Sequence, residues 1–231
     1  MTTAGIQHPP TEAPGAAPPP ALALRAISAV RTGWLYLISR RTPTAVGLLV
    51  ATGALLWAAL HWHWNIVGGA AARQFLPLAI ESAAAAIIAV ATYGSFGDTE
   101  RAAGRWLPWL RLGATVALTA AAAGILAAGA TAGHLPGGTL AMLRNLTGIA
   151  GIGLLSASAF GGAFGWAGPL AYLVITEGAF AGSWTTPWDW PTRVPHDRGG
   201  AICACLVIGA GLVLITVRGP RESARESGPG T

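Results

Sequence analysis

Residues 96–111 read "FGDTERAAGRWLPWLR". The segment carries Asp98, Glu100, Arg101, Arg105 and Arg111, and it lies between two long apolar runs. Gly94 and Gly97 end the run before it, because glycine is a poor helix former. Asp98 or Thr99 can cap a new helix, and Glu100 falls in its first turn, at the positive end of the helix dipole. Pro108 then suits the start of the next run, where a missing N–H is tolerated. The spacing predicts a short charged helix at 98–106 that separates two apolar helices. In an otherwise lipid-like sequence, such a break reads as a loop at a membrane surface.

Composition extends this reading to the whole chain. Of 231 residues, 53% are hydrophobic and only 10% charged, with a mean hydropathy of +0.54. A soluble domain carries about 25% charged residues, and a helix needs about 20 residues to cross a bilayer. Apolar stretches at 44–62, 75–95, 108–131, 143–160, 164–182 and 200–217 are of that order. They predict an all-α polytopic membrane domain of six transmembrane helices within 21–218. The turn at Gly161 and Gly162 makes the fourth and fifth a helical hairpin, with a re-entrant pair as the alternative. Residues 1–20 hold six of the 16 prolines and read as a disordered tail. They lack the basic-then-apolar order of a signal peptide. A second short tail is expected at 219–231. Between the first tail and the first span, Leu24, Ile27, Val30, Trp34 and Ile38 recur at three- and four-residue steps. That stripe predicts an amphipathic helix at 21–41, lying in the membrane interface, with an extension of the first span as the alternative.

Every one of the 14 basic residues is Arg, a usage that fits a high-GC bacterium. Without Lys the chain has no P-loop lysine and no Schiff-base amine. It is therefore read as non-enzymatic, with no ATP-binding motif and no cofactor of its own. The net charge of +5 follows topology rather than nucleic-acid binding. With the N-terminus inside, Arg25, Arg31, Arg40, Arg41, Arg101, Arg105, Arg111, Arg218, Arg221 and Arg225 are cytoplasmic, while Arg73, Arg144, Arg193 and Arg198 are outside. The positive-inside rule thus places both termini in the cytoplasm, in a bacterial plasma membrane. Trp57, Trp62, Trp64, Trp184, Trp188 and Trp190 then form an outer aromatic belt. Cys203 and Cys205 are two apart in an apolar helix and read as core thiols rather than a pair.

The pattern Glu100-Arg101-x-x-Gly104, just after the second of six spans, resembles the acid-Arg-x-x-Gly motif of type-2 ATP-binding-cassette exporter permeases. The preceding amphipathic helix and the segment "GSWTTPWDWPTRVPHDRGG" between the last two spans are also similar to that family. Here Arg105 follows the glycine, where the family usually has Thr. The resemblance implies that Asp98, Glu100, Arg101, Gly104 and Arg105 belong to a coupling helix that docks on a cytoplasmic ATPase subunit. It implies a second permease subunit, identical or homologous, beside this one in the lipid bilayer. The expected function is the permease part of an ATP-driven exporter. An apolar or amphipathic cargo suits spans with few polar groups.

Ionisable residues inside the spans are few. Glu81, Arg144 with Asn145, and Glu177 fall toward the outer side and form a candidate intramembrane polar cluster. A charge in lipid is costly, so Arg144 is expected to face Glu81, Glu177 or both. His61, His63, His134 and His196 also fall outside, with Asp189 and Asp197. A metal site or an outer enzymatic site would draw on these residues. They come from separate loops without metal-ligand spacing, and no metal is assigned. The run "GLLSASAFGG" offers serines, yet no span carries a histidine at mid-depth to activate one. The alternative to transport is a membrane assembly or accessory protein.

Overall fold

The computed structural model describes residues 42–62, 70–92, 107–135, 137–182 and 188–218. All belong to one compact unit, Tyr36–Thr231. The amphipathic helix expected at 21–41, both tails, His63 and the charged helix expected at 98–106 lie outside the described residues. The described residues are helical, with no strand among them. Among the described residues six α-helices follow one another: α1 (Thr42–His61), α2 (Ala70–Ala91), α3 (Leu107–Ala130), α4 (Gly138–Phe160), α5 (Ala167–Gly182) and α6 (Arg198–Val217). They occupy the six apolar stretches of the sequence. Of these, α1, α3, α4 and α6 are long and apolar enough to cross a membrane. The apolar part of α2 is limited to Phe75–Ala91, and α5 has 16 residues.

The helices arrange around α4. Within its most apolar window 72% of residues are buried inside the protein, against 22% for α6 and 28% for α3. It packs against α2, α3, α5 and α6, while α1 packs on α2 and α3. Its sequence suits that position, because small residues let neighbouring backbones approach. A Cβ on Gly151 would lie 2.6 Å from the Ile208 backbone nitrogen, and one on Gly211 would lie 2.9 Å from the Gly151 carbonyl oxygen. The α4–α6 interface therefore needs glycine on both helices. Outward positions carry Val46, Leu48, Val50, Val116, Leu206, Val213 and Val217, all exposed. An exterior this apolar is the surface expected of a membrane protein and not of a soluble bundle.

Polar side chains on these helices mostly satisfy themselves locally. The hydroxyls of Thr115, Thr119, Thr147 and Thr216 donate to the carbonyl four residues back, at 2.7–2.8 Å. A hydroxyl satisfied within its own helix can face lipid at low cost. Between α4 and α5, Gly161 adopts φ 102°, and a 3₁₀ turn follows at Gly162–Phe164. Helix α4 is a continuous 23 residues up to that turn. A second 3₁₀ turn, Trp190–Thr192, precedes α6.

Candidate functional site

The starts of α2, α4 and α6 lie at one end of the bundle, and the chain before α6 folds over them. This cap, residues 188–197, is organised by one cation. The Arg144 guanidinium, two turns into α4, donates from Nη1 to the Val194 carbonyl at 2.9 Å. From Nη2 it donates to the carbonyls of Trp190 at 2.6 Å and Arg193 at 3.3 Å. A planar fork can bind carbonyls from successive residues in a way that a single ammonium cannot. Arg144 is buried, so these carbonyls replace its hydration.

Trp190 is the apolar half of the same clamp. It is 2% exposed and stacks on Tyr172 of α5, with ring centroids 5.0 Å apart. The Tyr172 hydroxyl donates to the Trp188 carbonyl at 2.9 Å. Gly148 leaves the socket for the indole, because a Cβ there would collide with Trp190 Cζ2. Beside the ring, Asp189 is fully buried, and the Thr192 hydroxyl donates to its carboxylate at 3.0 Å. Burial pushes the Asp189 carboxyl above the usual carboxylate range, against the pull of Thr192 and Arg193. Asp197 caps α6 by accepting from the Gly200 N–H at 2.6 Å, and it pairs with Arg193 at 3.1 Å. The Gly200 N–H first, and then Arg193, hold the Asp197 carboxyl below its ordinary range.

Beneath the cap lies a cavity of about 350 Å³, lined by the first part of α2, the first part of α4 and residues 191–195. Glu81 and Asn145 both line it, both are buried, and the Asn145 side chain hydrogen-bonds the Glu81 carboxyl. Glu81 Oε2 and Asn145 Oδ1 have no hydrogen-bond partner.

The expected polar cluster is thus rearranged. Glu81, Arg144 and Asn145 lie in one neighbourhood, and Arg144 is within electrostatic reach of Glu81. The hydrogen bonds of Arg144 nevertheless go to main-chain carbonyls, and among the described residues no ion pair joins it to Glu81 or Glu177. The end of a 3₁₀ turn presents several carbonyls together, which serve the fork as well as a carboxylate would. Glu177 is exposed on α5, apart from the cluster. Trp190, read from sequence as part of an interfacial belt, is instead a core residue. Its socket is made 42 residues away in sequence, by Gly148.

The described histidines have separate settings. His61 stacks on Trp57 at 4.7 Å, and His134 and His196 are exposed. Among the described residues no group of three or more His, Cys, Asp and Glu side chains could hold a metal ion. Asp189 and Asp197 are committed to the cap. Asp98, Glu100, Arg101, Gly104 and Arg105, expected from the resemblance to form a coupling helix, lie outside the described residues, in the connection between α2 and α3. The roles of Tyr172, Asp189 and Asp197 in the cap were missed in sequence. Only Asp197 carried a signal, as an N-cap residue type directly before the last apolar run. Comparison with family models, with curated proteins and with solved structures found no match to the chain.

Proposed function

We propose that the chain is the membrane-spanning permease subunit of an ATP-driven transporter, working with a separate cytoplasmic ATPase and a second permease subunit. In this reading all six helices span a bacterial plasma membrane and both termini are cytoplasmic. The cap of residues 188–197 is then on the outer side. The observation that carries the proposal is the placement of α2. One end of this helix holds Pro77, Leu78 and Glu81 at the cavity under the cap. Its other end, at Ala91, leads into the charged segment that contains Glu100 and Arg101. From Glu81 to Ala91 the helix rises about 15 Å. A push on the charged segment would reach the cavity wall through one rigid element packed against α4. The few polar groups on the remaining helices favour an apolar or amphipathic cargo.

The test is the company the protein keeps. Tagged full-length chain, purified from its native membrane in mild detergent, should bring down a nucleotide-binding ATPase subunit. Purification with only non-ATPase membrane proteins would favour an assembly or accessory role and sink the transport reading.

A further inference from the structure

We propose that Glu81 is a proton-binding site: its carboxyl is carried as the un-ionised acid and donates from Oε2 to the Asn145 side-chain oxygen, in a cyclic acid–amide pair that joins α2 to α4. The pair stands whether or not the chain transports.

Glu81 is 3% and Asn145 8% exposed, so bulk water serves neither side chain. In the hydrogen bond between them Asn145 donates from Nδ2, the one donor atom its side chain has. The oxygen that receives it is Glu81 Oε1, because Oε2 has no partner. Asn145 Oδ1 has none either. Each side chain is thus left with one buried acceptor. As a carboxylate, Glu81 can only accept, and both atoms stay unserved. As an acid it gains one O–H donor. A single proton on Oε2, with Asn145 Oδ1 as its acceptor, satisfies both atoms and closes a ring of two hydrogen bonds. A buried acceptor without a donor is costly, and a buried charge is costlier. One proton removes two orphan acceptors and one charge together.

The neighbouring charges also suit a neutral Glu81. Arg144 on α4 is within electrostatic reach of it, and Arg193 of the cap lines the same cavity. The terminal nitrogens of Arg144 bind the cap carbonyls, and Arg193 pairs with Asp197. The other helices packed on α2 are α1, α3 and α5. They carry His61, Arg111, Tyr172 and Glu177, none of which lines the cavity. A carboxylate at Glu81 would therefore have Arg144 as its partner. Yet Arg144 Nε is itself buried without an acceptor, and no ion pair between the two is found. An anion and a cation left apart in one buried neighbourhood would each carry an unmet penalty. With the carboxyl neutral, only the cation has to be served, and the cap carbonyls serve it.

The experiment is infrared spectroscopy of the purified full-length chain in detergent and D2O near neutral pH, beside Glu81→Gln and Asn145→Leu. The unmodified chain should show the C=O stretch of an un-ionised carboxylic acid that Glu81→Gln lacks. Glutamate labelled with ¹³C at its side-chain carboxyl should move that band in the unmodified chain. A folded Asn145→Leu should raise its frequency, because the acid has lost both hydrogen bonds. Stability gives an independent reading. Gln offers an N–H where the acid offers its O–H, so Glu81→Gln keeps the ring and should change the unfolding equilibrium by about tenfold at most. A carboxylate paired with Arg144 would behave differently, because Gln would leave a buried cation unpaired and shift that equilibrium about a hundredfold or more. The absence of an acid band that moves with the glutamate label, a carboxylate band in its place that Glu81→Gln removes, an unshifted band in a folded Asn145→Leu, or a Glu81→Gln too unstable to fold would each overturn the proposal.

Discussion

Replacing Gly148 by alanine should destabilise the protein, although the same change in an open helix would do the opposite. Alanine is favoured over glycine in a helix interior by about 1 kcal/mol. At Gly148, however, the added methyl overlaps Trp190 Cζ2 and lies 2.6 Å from Cε2 and 3.0 Å from Nε1. The indole is held on other sides: Tyr172 stacks on it, and Arg144 binds its carbonyl at 2.6 Å. Overpacking of this kind costs roughly 1–3 kcal/mol. A ring fixed by both a stack and a charged hydrogen bond puts the cost in the upper part of that range. The net loss is then about 1–2 kcal/mol after the helix gain. Thermal unfolding in detergent, followed by circular dichroism, reads the effect. Trp190→Phe removes the atoms that the methyl strikes, so it should cost less in the Gly148→Ala background than alone. A double-mutant cycle should give a coupling of about 1 kcal/mol, as expected for residues in contact. Gly148→Ala at or above wild-type stability, or a cycle with no coupling, would refute the clamp as described.

Other perturbations probe the cap and the topology. Arg144→Met should cost about 3 kcal/mol, from its two shorter charge-assisted bonds, to Val194 and Trp190, at roughly 1.5 kcal/mol each; Arg144→Lys should recover only part of it, because an ammonium cannot fork between carbonyls. Denaturation at matched detergent concentration checks both. Asp197 has a folded-state affinity for protons below its unfolded value, so its contribution to stability is present above the ordinary carboxylate range and lost as pH falls through its lowered pKa. Asp189 is shifted the opposite way by burial, and acidification relieves it. Asp197→Asn should therefore flatten the acid limb of a melting-temperature profile, and an unchanged acid limb would argue against the cap pairing. After Cys203 and Cys205 are replaced by Ser, an impermeant thiol reagent added outside intact cells should label His196→Cys and Ile66→Cys but not Ala102→Cys. The reverse pattern would invert the proposed orientation.

Much of the architecture was legible because lipid imposes one dominant signal, a long apolar run. The stretch 44–62 became Thr42–His61, and 200–217 became Arg198–Val217. The second helix shows where that signal ends. The apolar run begins at 75, and the helix is found to begin at Ala70. Pro77 lies inside α2, where its missing N–H removes one helical hydrogen bond. The site was only half legible. Glu81, Arg144 and Asn145 stood out as polar residues in apolar runs, and the fold does bring them into one neighbourhood. The partners of Arg144 did not stand out, because they are main-chain carbonyls, which every residue possesses. Trp190 was misread for a related reason. A tryptophan near a helix end is ordinary at a membrane interface, and nothing local marks the glycine on α4 that makes room for it.

The central claim is that the connection between α2 and α3 is where an ATPase grips this protein. The most direct measurement reverses its charges, with Glu100→Arg and Arg101→Glu together, and compares membrane expression, ATPase co-purification and ATP hydrolysis with the unmodified chain. Surface charges contribute little to folding, about 0–1 kcal/mol per pair, whereas a like-charge contact at an interface costs several kcal/mol. The account predicts normal insertion and melting temperature together with loss of the ATPase and of its stimulation. A reversed variant that is expressed normally and retains its ATPase and its activity would contradict it, leaving the segment as a topology signal alone.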